Sequence, residues 1–203
     1  IEEQISDQPR IKKALKGASK SGLGDGKPEF LISFKEIDDF IIVVECKASI
    51  KFHESSNKDK YKDFAVDGAL LYSDYLSKEF DVLSIGYSGE ERNLSRFTSF
   101  LQLKNDICQP LEIDNLSEVD DLLNLYLKSD LKKDQQLEEL IQFSQILNTH
   151  LHKNKIQEDK RALLFSGILV ALNDRAFESS YKKHSSPIKL NNSLISSIDN
   201  EFQ

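Results

Sequence analysis

Gly26-Lys27-Pro28-Glu29-Phe30-Leu31-Ile32-Ser33-Phe34 and Phe40-Ile41-Ile42-Val43-Val44-Glu45-Cys46-Lys47 are two short apolar runs, the first opened and the second closed by an acid. Side chains alternate faces along a strand, so Phe40, Ile42, Val44 and Cys46 point one way, and Ile41, Val43, Glu45 and Lys47 the other. Pro28 suits a strand start, since it cannot donate to a ladder but can precede one. Residues 35–39 form a short polar connection, which predicts an antiparallel hairpin. A hairpin sets the start of its first strand beside the end of its second. Glu29 and Glu45 are therefore expected to be neighbours in space, with Lys47 on the same face as Glu45.

Two carboxylates and an ammonium group are what metal-dependent phosphodiester hydrolysis asks of a protein. That reaction needs a divalent cation held by carboxylates, an oriented water and a positive charge near the developing negative one. A Glu-x-Lys by itself is equally what a half-exposed strand shows as a same-face ion pair. The Pro-Glu ahead of the preceding strand favours a site. So does the flank Ser21-Gly22-Leu23-Gly24-Asp25-Gly26-Lys27, a glycine-rich loop that lets another backbone approach closely.

Gly26-Lys27-Pro28-Glu29-Phe30, the hairpin and Val44-Glu45-Cys46-Lys47-Ala48 resemble the PD-(D/E)XK nuclease motif, in the form found at the N-terminus of type I and type IIG restriction-modification polypeptides. The resemblance covers residues 1–105 well and the remainder loosely. It implies an α/β fold with a mixed-sheet, restriction-endonuclease-like core over residues 1–110. It also implies a helical connector over 111–203, leading to a methyltransferase domain that this chain does not contain. Glu29 takes the place of the motif's Asp, Glu45 is the second acid and Lys47 the lysine. The Gln-x-x-x-Tyr element of type I nuclease domains is matched at Tyr72 only, since Gly68 stands where the glutamine is expected; Asp67 is the adjacent substitute.

The implied chemistry is Mg²⁺-dependent cleavage of double-stranded DNA, with Mn²⁺ substituting. Glu29, Glu45 and the carbonyl of Cys46 hold one or two ions. Lys47 orients or deprotonates the attacking water, and in-line attack leaves a 5′-phosphate and a 3′-hydroxyl. Glu2, Glu3 and Asp25 are further acids with a claim on the metal. Lys20, Lys27 and Lys51 lead the candidates for DNA phosphate contact. A helix that reads bases by convincing Arg and Asn spacing is absent, so sequence recognition is expected in methyltransferase and specificity domains elsewhere in a longer polypeptide. The rival from another class is a catalytically silent DNA-binding or docking module. RNA and branched DNA remain open as substrates.

Composition bounds these readings. The chain of 203 residues can bury a core and carries a net charge of −7, which argues against a simple DNA-coating protein. Residues 1–62 hold 12 Lys/Arg against 11 Asp/Glu, a net of +1, leaving 15 against 23 for the rest, a net of −8. The basic residues around the motif are thus its phosphate candidates, or a solvated surface. Two cysteines exclude a disulfide framework, and the lack of any methionine is expected of a piece of a longer polypeptide. With no signal peptide and no membrane-length apolar stretch, the protein is expected in the cytoplasm.

Periodicity predicts a helix over 2–15, a polar and mobile loop over 52–62, a helix over 64–76, and strands over 81–87 and 97–103. After Pro110 the pattern is helical: 116–127 opened by an Asn115 and Glu118 cap pair, then 135–151, 158–172 and 191–202. Residues 163–169 resemble the connector. His150 and His152 sit two apart on a helix and face different sides, so they carry little as metal ligands. His53 reads as an exposed loop histidine.

Overall fold

The computed structural model describes residues 1–35, 37–91, 94–113 and 118–201, which form two compact units, 1–134 and 135–203. The first is built on a six-stranded mixed sheet, giving the expected α/β class. Its strands are β1 (Glu2–Glu3), β2 (Phe30–Ser33), β3 (Phe40–Lys47), β4 (Asp81–Ser88), β5 (Arg96–Gln102) and β6 (Gln109–Pro110). They lie side by side in chain order, all neighbours antiparallel except β3 and β4. The crossover between that parallel pair holds α2 (Ala65–Leu76), since parallel neighbours need a long return path and a helix supplies it.

Each face of the sheet has its own core, as the alternation of β3 requires. Ile41 and Val43 pack with Leu31, Val82, Tyr72 and Leu76 on the face covered by α2 and by α1 (Pro9–Ala14). Phe40 and Ile42 pack on the other face with Leu83, Ile85 and Leu101, beneath Leu122 and Tyr126 of α3 (Val119–Lys128). There the Phe40 and Tyr126 rings stack with centroids 3.8 Å apart. The Tyr126 hydroxyl and Lys132 Nζ both donate to buried Asp81, at 2.6 and 2.8 Å. Charge pairing thus fixes the end of β4 to the helical layer.

The N-terminus departs from the expected helix over 2–15. Glu2 and Glu3 pair with Leu31 and Phe30 as an edge strand, and the helix begins only at Pro9. Proline is suited to a first helical turn, where its missing N–H would have no partner, and it blocks a helix running through it. Ile5 is exposed, whereas Ile11 and Leu15 are buried. The Asn115 cap lies outside the described residues.

The second unit is helical. Helix α4 (Asp130–Lys153) starts in the first unit and is followed by α5 (Glu158–Asn173), α6 (Arg175–Ser180) and α7 (Pro187–Glu201). Asp174 caps α6 by accepting from the Ala176 N–H at 2.8 Å, and that bond holds its carboxyl below the usual range. The short α6 was not anticipated. His150 and His152 are exposed on α4. No described helix is long and apolar enough to cross a membrane.

One glycine fixes how closely α2 rides on the sheet. A Cβ at Gly86 in β4 would fall 2.7 Å from the backbone N and Cα of Val66. Gly86→Ala should therefore lever α2 off the sheet and cost about 1–3 kcal/mol, measured by urea denaturation. An unchanged midpoint would mean that the helix is not held by this contact.

Candidate active site

Four residue pairs register β2 against β3, from Phe30 opposite Val44 to Ser33 opposite Ile41. One step beyond Phe30 and Val44, that register puts Glu29 level with Glu45. The Glu29 N–H donates to Glu45 Oε1 at 3.2 Å. Glu45 Oε2 accepts from Lys20 Nζ at 2.6 Å. Glu45 has 0 % of its surface exposed, and a buried carboxylate without partners would be very costly. Burial pushes its pKa above the ordinary range; the Lys20 ammonium opposes that shift, Glu29 adds to it and Lys47 counters it. Glu29, Glu45, Lys47 and Lys20 thus act on one another electrically.

Helix α2 roofs this group. Gly86, the parallel partner of Glu45, admits the first turn of α2, and Gly68 faces Glu45 itself. A Cβ at 68 would lie 3.3 Å from Glu45 Cγ and 3.0 Å from the Tyr61 carbonyl, so a glutamine side chain there would crowd the acid. Tyr72, one turn further, is buried in the α2-side core, and its hydroxyl accepts from the Lys27 N–H at 3.2 Å. Burial raises its pKa well above that of an ordinary phenol, so it is held protonated. A Cβ on Gly26 would meet the Tyr72 ring at 2.8 Å, which explains glycine at that close approach.

The loop ahead of α2 is tied down at several points. Buried Asp67 accepts from the backbone N–H groups of Ser55 and Lys60, at 3.1 and 2.8 Å, and from the Ser55 hydroxyl. Its carboxylate is thereby committed to holding the loop. His53 corrects the reading of an exposed loop histidine: it is buried, with Nδ1 2.8 Å from Ser88 Oγ and Nε2 2.8 Å from Thr98 Oγ1. Its carbonyl accepts the Val66 N–H at 2.9 Å, capping the start of α2. Chain position gives no hint of this burial, because strands β4 and β5 supply both hydroxyls from far along the sequence.

The other candidates are dispersed around the site. Lys20 and Lys27, with Lys62, Ser19, Ser21 and Asp25, line an open cleft of about 570 Å³ that reaches Tyr72. Lys51 lies apart, exposed on the short 3-10 turn Ile50–Phe52. Glu3 is on edge strand β1 and not on a helix; it is exposed and paired in register with Phe30, next to Glu29. Glu2 accepts from the Asp7 N–H at 3.0 Å. Cys46 is half-buried, and burial raises its thiol to about 11, so its sulfur stays protonated and only its carbonyl is a hard-cation ligand.

Among the described residues, no group of three or more His, Cys, Asp and Glu gathers to hold a metal ion. The candidate donors are the carboxylates of Glu29 and Glu45, level across the hairpin, and the carbonyl of the next residue, Cys46. That fits Mg²⁺, which is commonly held by one or two carboxylates, its other positions being filled by water and substrate phosphate. The ammonium on Glu45 shows that this carboxylate receives a cation.

Over 196 residues the chain is 28% identical to a type II restriction enzyme and methyltransferase, RM.BcgI of Heyndrickxia coagulans, an alignment covering 87% of this chain. The chain is related to a restriction-modification polypeptide. It spans 30% of that relative's length. No family model and no solved structure matches.

Burial, and secondarily the charge of Arg96, lowers the His53 pKa below its ordinary value. A base with a depressed folded-state pKa contributes stability that is present above its unfolded pKa, roughly 6.5, and is lost as pH falls through the folded value. The melting temperature should therefore fall between pH 7.5 and 5.5, and His53→Gln should flatten that slope. Identical slopes in the two proteins would rule out His53 as the group responsible.

Proposed function

We propose that this chain is the DNA-cleaving module of a restriction-modification polypeptide, hydrolysing phosphodiester bonds of double-stranded DNA with the help of Mg²⁺ or Mn²⁺ and adopting the PD-(D/E)XK arrangement. The observation that carries this reading is the fully buried Glu45 carboxylate, level with Glu29 across a hairpin and two residues from Lys47. The similarity to a type II restriction enzyme and methyltransferase supports it independently of that geometry. In this reading the methyltransferase and specificity functions belong to the remainder of a longer polypeptide.

Glu29, Glu45 and the Cys46 carbonyl are the residues that would hold the ion. When bound, a divalent cation polarises the scissile phosphate and makes its coordinated water more acidic. Lys47 supplies the donor that orients the attacking water and the positive charge that offsets the developing negative one. Lys27 and Lys62, on the wall of the cleft, position the DNA backbone as point charges without reading its sequence. Tyr72 holds the Lys27 backbone through its hydroxyl, so it acts on substrate by fixing that wall. Cleavage leaves a 5′-phosphate and a 3′-hydroxyl.

Plasmid nicking with Mg²⁺ or Mn²⁺ tests the assignment. Lys47→Ala and Glu45→Ala should each cut the rate by roughly 100-fold or more, the scale seen when one transition-state contact is removed. Full activity in both variants would discard the mechanism. Chelation of the divalent ion should abolish cleavage altogether.

A further inference from the structure

Both oxygens of Glu45 have a partner, Oε1 the Glu29 N–H and Oε2 Lys20 Nζ. The two partners differ in kind. The Glu29 N–H is backbone, fixed by the hairpin register. Lys20 is a long side chain reaching in from the segment between α1 and β2, still 18 % exposed, with its ammonium 5.5 Å from the centre of the Tyr72 ring. That segment contains Gly22 and Gly24, both at positive φ with nothing within 4 Å of where a Cβ would stand. It also forms one wall of the cleft that Lys27 and Lys62 line.

We infer that Lys20 is the resident counter-ion of Glu45: it occupies the cation position until a divalent ion displaces it, and it is then released into the cleft beside Lys27 and Lys62. This deepens the metal-dependent reading above and rests on it. A buried carboxylate that stays ionised is stabilised by hydrogen-bond donors or by a positive charge, and Glu45 has one of each. An ammonium at 2.6 Å and a dication compete for the same oxygen, because their positive charges repel each other at that range. Lys20 therefore stabilises the ionised Glu45 while lowering its affinity for metal, and its release delivers one more positive charge to the surface proposed to face phosphates.

The test is equilibrium Mn²⁺ binding to the whole chain by calorimetry, without DNA or turnover. Lys20→Met should bind Mn²⁺ about 10-fold or more tighter than wild type, within the usual range for coupled sites, and Glu45→Gln should lose binding. A second measurement needs no variant. Acylation of Lys20 by an amine-reactive reagent, read by mass spectrometry, should rise several-fold on saturation with Mn²⁺, because the released ammonium is no longer paired. Equal or weaker Mn²⁺ affinity in a folded Lys20→Met overturns the inference alone, as does labelling of wild-type Lys20 that Mn²⁺ leaves unchanged. Absence of Mn²⁺ binding in both wild type and Lys20→Met overturns this inference and the metal-dependent reading together.

Discussion

A single carboxylate with no exposed surface governs the architecture of the first unit. Glu45 stands two residues before the end of β3, after five apolar residues, and at that point the chain takes a charge into its interior. Every element nearby answers to that charge. The start of β2 offers an N–H, the segment after α1 sends in an ammonium, and α2 presents a glycine where any larger residue would crowd the acid. A hydrophobic residue at 45 would satisfy the same packing without any of these accommodations. Keeping a charge there is costly for folding, and such a cost is usually met where the group has chemical work to do.

The hairpin was legible in the sequence because its signals are local: alternation along 40–47, a proline at the strand start and a short polar connection. The facing acids follow from that pattern alone, since antiparallel register depends on chain geometry and not on distant contacts. Helix α2 and strands β4 and β5 were equally readable from period and apolar content, with ends off by a residue or so. What failed was whatever depends on partners far away in sequence. Lys20 reads as one basic residue among several, and nothing local shows that it turns inward to an acid 25 residues later. His53 reads as exposed until two strands close over it, and Asp67 looks available until three loop donors take it up. The edge strand Glu2–Glu3 was hidden by the helix read over 2–15, although Pro9 already marked where a helix must begin.

The region around Glu45 is held differently on its two sides. On the sheet side, Gly86 lets the backbone of α2 approach β4 closely, while Asp67 and the His53 carbonyl pin the loop that enters the helix. On the opposite side lies the 16–29 segment, joined to α2 through the Tyr72 hydroxyl and the close pass of Gly26.

The four-pair ladder between β2 and β3 has a further implication for how this chain tolerates change. Its two ends are unequal: the acids stand at one, the connection between the strands at the other. Lengthening or replacing that connection leaves the level of Glu29 and Glu45 untouched. A single residue added within either strand would instead rotate one carboxylate to the far face of the sheet. Insertions and grafts should therefore accumulate at the closed end of the hairpin, while its open end admits no change in spacing.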